Sequence, residues 1–167
     1  MNKEINFFIS EFESSFDGEP FFGKPLMAVV RDTNPAEVFN KPIATSHSAW
    51  EITHHLLAWR ELMAKRLNGY IVPGIDGDSK EDWAPDPEDK SAKKWSQLIS
   101  RLEKNQADLL EALPKFKDED LDKKFAGTNY TLRTFLNGQI HHDIYHIGQI
   151  ALALKSNPVM KEKEQHA

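Results

Sequence analysis

The chain contains no cysteine. Disulfides, thiolate metal ligands and a cysteine nucleophile are thereby excluded. It has no excess of positive charge: 21 Lys and Arg stand against 26 Asp and Glu, a net charge of −5, which argues against a broad nucleic-acid-binding surface. Long apolar runs are missing too. The opening MNKEINFFISEFESSF carries acidic residues at every turn, so it reads as neither a secretion signal nor a membrane span. No internal repeat or low-complexity stretch stands out. The expected setting is soluble and cytoplasmic, with no membrane partner.

What is present is helical periodicity. At 167 residues the chain has the length of one domain with a real core. The patterning predicts a domain over residues 1–156, followed by a charged tail at 157–167. Four amphipathic helices are expected. The first runs from about Asn2 to Phe16, with Ile5, Phe8, Ile9, Phe12 and Phe16 at helical spacing. The second starts near Ser46 or Ser48 and stops at Asn68–Gly69. The third covers about Ser91 to Leu113, and the fourth about Thr131 to Lys155. The connection between the first two is long and rich in Pro and Gly. It has room for one short helix at AEVF, and for a crossover instead of simple up-and-down order. A short strand-like piece is expected near Phe125 or Tyr130. The fold class is all-α, a four-helix bundle.

Chemistry enters with the histidines of LNGQIHHDIYHIGQIALALK. At 100° per residue, His142 and His146 lie about 40° apart on one helix face, with Cβ atoms roughly 5–6 Å from each other. His141 is rotated about 100° off that face and belongs at the rim. In SAWEITHHLLAWRELM, His55 shares its arc with Ile52, Trp59, Leu62 and Met63, whereas His54 falls toward Glu61. The inward set is therefore His55, His142 and His146. From spacing alone two readings stand: a metal site, or inward histidines satisfied by hydrogen bonds in the core.

SAWEITHHLLAW, followed some ninety residues later by HDIYHIGQI, resembles the DinB/YfiT-like family of bacterial four-helix-bundle metalloproteins. The resemblance assigns His55, His142 and His146 as ligands of a divalent metal, zinc or nickel, and aligns Tyr145, Gly148, Gln149 and Ile150 with the rest of the C-terminal motif. HH leaves His54 as an alternative, and Trp50 together with the face argument selects His55. The family implies an S-transferase that uses a low-molecular-weight thiol such as bacillithiol on a small electrophilic substrate.

Three neutral imidazoles leave a bound metal at least one open position, the catalytic pattern rather than the structural one. With no cysteine in the chain, any reacting thiol must arrive as a cosubstrate. Metal-dependent hydrolysis and a noncatalytic metal-binding or ligand-sensing module are the alternatives. Gln149, Tyr145 and Glu51, with Gln139, are candidates for supporting or substrate contacts. Their plain alternatives are solvation for the glutamines and Glu51, and packing for Tyr145. The acidic loop Asp76–Asp89 lacks the ligand order of a calcium loop and reads as solvated. A homodimer is the alternative to a monomer.

Overall fold

A computed structural model describes residues 2–155. The tail expected at 157–167 lies outside them. The described residues form five α-helices and no strand: α1 (Lys3–Asp17), α2 (Leu26–Arg31), α3 (Ala49–Leu67), α4 (Ala92–Ala112) and α5 (Leu132–Lys155). Four are long and match the expected helices. None is long and apolar enough to cross a membrane.

Local chemistry sets their ends. Asp118 accepts hydrogen bonds from the backbone N–H groups of Glu4 and Ile5 at 3.1 and 3.0 Å, so a distant carboxylate caps α1. Ser48, not Ser46, caps α3. Its hydroxyl accepts from Glu51 N at 3.1 Å, while the Glu51 carboxylate accepts from Ser48 N at 2.8 Å. That reciprocal pair is a capping box. At the other end Gly69 takes φ +85, where any side chain would be strained. Ser91 caps α4. Pro114 falls in a single 3₁₀ turn, Leu113–Lys115, that ends it. The strand-like piece is one isolated antiparallel bridge between Lys124 and Thr131, with Phe125 N donating to Tyr130 O at 2.9 Å.

The short helix of the first connection is α2, not AEVF. Residues 35–39 form turns that begin where Asn34 Oδ1 accepts from Ala36 N at 3.1 Å. Four residues between Pro35 and Asn40 cannot repay helix nucleation on their own. In α2, Leu26, Met27, Val29 and Val30 are buried, and that packing stabilises a six-residue helix. Val38 and Phe39 are buried as anchors within the turns.

Two apolar clusters make the core. One gathers Phe16 of α1, Leu56 and Leu57 of α3, Trp95 and Leu98 of α4, and Ile147 and Ile150 of α5. The other holds Phe8 and Phe12, Met63 and Leu67, Leu109 and Ala112, and Leu136 and Ile140. The order in which each helix meets them defines the topology. Helices α3 and α4 run from the first cluster to the second, and α1 and α5 run the opposite way. The α3–α4 connection, 68–91, must therefore travel the length of the bundle. The crossover lies in this second connection, while the first, with α2, covers one end.

A polar layer separates the clusters. Arg60 and Asp143 are each 1% exposed and form a salt bridge. Arg60 Nε also donates to Asn105 Oδ1 at 3.2 Å, and its remaining guanidinium nitrogen donates to Gln106 Oε1. Gln139 Nε2 donates to Asp143 Oδ1 at 2.8 Å, and Gln106 Nε2 to Phe12 O at 3.1 Å. All four long helices are thus joined at mid-height by satisfied polar groups. Gln139 belongs to this layer rather than to solvent.

Candidate metal centre

Antiparallel packing brings α3 against α5 immediately beside the polar layer. His55 from α3 meets His142 and His146 from α5, and one ligand atom from each lies within 4.8 Å of the others. His55 and His146 are each 5% exposed, and His142 is half-buried, giving the cluster an edge toward solvent. His55 Nε2 and His142 Nε2 stand 3.0 Å apart. His141 is exposed, off the cluster. His54 lies apart from it too, with Arg101 of α4 and Glu61 as its charged neighbours.

The crossing loop supplies what sequence reading missed. His55 Nδ1 faces the Asp82 carboxylate at 2.9 Å and the Asp82 carbonyl at 3.1 Å. Both are acceptors, so Nδ1 carries the proton and Nε2 presents its lone pair to the cluster. Asp82 is itself held: Trp59 Nε1 donates to its Oδ1 at 2.8 Å, and its backbone N donates to Ser79 Oγ at 3.1 Å. The loop expected to be solvated therefore buries its central carboxylate. The next residue, Trp83, stacks on His55 at 4.1 Å and 11° on one side. On its other side it stacks on His47 at 3.6 Å and 6°. A tryptophan inside EDWAPDPEDK was the available signal, because a loop of acids, prolines and glycines has no other use for a large apolar ring.

On α5, His146 Nδ1 donates to Gln149 Oε1 at 2.7 Å, again leaving Nε2 as the inward acceptor. Tyr145 is exposed on its outer side and meets His146 edge-on at 5.0 Å. Glu51 is engaged elsewhere, in the capping box and with Lys41 at 2.9 Å and His47 at 3.6 Å. It reaches the histidines only through His47 and Trp83. Burial raises its pKa, but the Ser48 hydrogen bond and Lys41 outweigh that and leave it below the usual carboxylate value.

The donor set fits a divalent cation. His55 and His146 both have their protons fixed on Nδ1, so two lone pairs converge, an arrangement that repels unless a proton or a cation lies between them. The Nδ1 atom of His142 is buried without a hydrogen-bond partner. No hydrogen bond therefore fixes a proton on that atom, although the Asp143 carboxylate lies 3.8 Å from it. His142 can donate from Nε2 to His55 Nε2 in the absence of a cation, or offer the Nε2 lone pair to one. The 3.0 Å Nε2–Nε2 separation is close to the edge, about 3.3 Å, of a tetrahedron with Zn–N bonds of 2.0–2.1 Å. His55 and His146 are also held toward the neutral form, the one that ligates. Burial, then His142 and His55, push His146 down to about 4. Burial lowers His55 as well, with Asp82 opposing and His142 adding to the shift.

These shifts set a pH dependence for the metal-free fold. A histidine whose folded pKa lies below its unfolded value near 6.5 takes up protons preferentially in the unfolded chain. Stability is fully present above about pH 6.5 and is lost as pH falls toward the folded value, about 4 for His146. Urea midpoints of the metal-free protein should drop between pH 7 and pH 5, and His146→Gln should flatten that drop. An identical slope in the variant would show that His146 is not the group responsible.

Fold and cluster together define a helical bundle protein with a three-histidine site compatible with a divalent metal. The model of the DinB superfamily matches residues 24–150, and the chain belongs to that superfamily. No curated protein and no solved structure matches it.

Proposed function

We propose that the protein is a divalent-metal-dependent enzyme that transfers the sulfur of a low-molecular-weight thiol to a small electrophilic substrate. Convergence of three imidazoles on one point carries this reading. Zinc or nickel bound there would act as a Lewis acid and favour the thiolate form of a coordinated thiol near neutral pH. Asp82 and Gln149 keep the Nε2 lone pairs of His55 and His146 directed inward. Trp83 covers one face of His55 and shields it from water, while half-buried His142 leaves a side by which small molecules can enter. The absence of cysteine from the chain supports an external thiol as the sulfur source. In the reaction a sulfur–carbon bond forms, the leaving group departs with its electron pair, and the thiol proton passes to solvent.

The test is conjugation of 1-chloro-2,4-dinitrobenzene to a panel of thiols that includes bacillithiol, glutathione and cysteine. Zinc- or nickel-loaded protein should raise the rate above buffer, with chloride released, and chelation should return it to the buffer rate. No metal-dependent rate with any thiol, together with ester or amide hydrolysis by the same loaded protein, would put hydrolysis in place of transfer.

A further inference from the structure

A cavity of about 420 Å³ adjoins the histidine cluster, within the range of small-molecule sites. Its apolar walls are Pro42, Ile43, Ile52, Leu152 and Ala153, and among the described residues none of the lining side chains is a lysine, arginine, aspartate or glutamate. Two polar residues in the lining, His47 and Gln149, are tied to the cluster. Gln149 accepts the His146 Nδ1 proton at 2.7 Å, and His47 lies against the Trp83 ring that covers His55. Ile43, before α3, and Leu152, on α5, are each 65% exposed although they border the same space. Large apolar side chains from two separate elements line a concave site without being buried by the other described residues.

We propose that this cavity is the subsite for a short, uncharged hydrocarbon group of the substrate handled at the histidines, a proposal that rests on reading the cluster as a substrate-processing centre. The occupant follows from the lining. Among the described residues His47 is the one ionisable group in the walls, so a charged group entering the cavity would give up hydration for at most that single imidazole, whereas each methylene would gain its transfer free energy. The larger groove on another part of α5, about 800 Å³ and lined by Ile144, Ile147, Ala151 and Leu154, does not share this connection. It contains none of the residues bonded to or stacked on the cluster, and Lys24, Asp32 and Glu37 place both signs of charge in its lining.

Binding of 1-butanol, 1-pentanol and 1-hexanol to the zinc-loaded full chain, followed by ¹H–¹⁵N NMR, tests the subsite without any turnover. Affinity should rise about fourfold for each added methylene, and the amide shifts should centre on Ser46, Gln149 and Ala153. Ile43→Asp and Leu152→Asp, both at exposed positions outside the core, should weaken 1-hexanol binding at least tenfold while zinc stoichiometry and helix content stay unchanged. Absence of length dependence, shifts centred on Ile144 and Ala151, or unimpaired binding by both Asp variants would overturn the proposal. Length-dependent binding at the expected amides in a protein that transfers no thiol would support the subsite and count against the transferase reading alone.

Discussion

His146→Ala is expected to abolish stoichiometric binding of zinc or nickel at neutral pH, and His55→Ala and His142→Ala to do the same, while His141→Ala binds normally. Each of the first three removes one of three converging imidazoles. His141 is turned about 100° away on the same helix and is exposed. Asp82→Ala should be intermediate, with affinity about 10–100-fold weaker, because it removes the carboxylate that holds the His55 Nδ1 proton, leaving the backbone carbonyl of residue 82 as the acceptor, without removing a ligand. Competition with a chromogenic chelator at pH 7.5 reads all five proteins on one scale. Equal losses that include His141→Ala would undo the helical-face assignment. An unaffected Asp82→Ala would remove the loop from the site.

Asp143→Ala should be the most destabilising single change outside the apolar core, by about 3–5 kcal/mol in the metal-free protein. It leaves the Arg60 guanidinium buried without its carboxylate and deprives Gln139 of its acceptor. For a domain of this size the thermal midpoint should fall by roughly 6–20 °C. Arg60→Met combined with Asp143→Ala should recover most of that loss, since the uncompensated charge goes with it. A double variant as unstable as the single one would show that Asp143 acts through packing and not through its pairing with Arg60. The layer also explains how the histidines are kept in register. His142 directly precedes Asp143, and His55 lies five residues before Arg60, so the ion pair that joins α3 to α5 also sets the facing of the ligand-bearing turns.

Each long helix and both inward histidine faces could be read without coordinates. Ile5, Phe8 and Phe12 repeat with the turn of α1, and a serine cap for α3 is visible at Ser46 or Ser48, though only the structure selects Ser48 and pairs it with Glu51. His142 and His146 share a face because a helix returns to the same side every 3.6 residues. All of these are relations between residues a few positions apart, where backbone geometry alone decides who faces whom. The resemblance carried by HDIYHIGQI belongs to the same local register.

Relations across many residues could not be read that way. Nothing near Arg60 indicates an inward guanidinium, because its carboxylate, Asp143, lies 83 positions away. AEVF carries the same kind of local signal as LMAVVR, yet only the second is helical: four of its six side chains are buried in the core, against two, Val38 and Phe39, from AEVF. Asp82 and Trp83 sit in a stretch whose composition says only that it is a loop. They become part of the site because α3 and α4 run in the same direction, which forces the chain between them to cross the bundle past His55. Helical periodicity specifies a direction around one axis. Which axes pack together, and which loop must span them, depends on burying apolar area and pairing buried charges across the whole chain, and that balance exists only in the folded molecule.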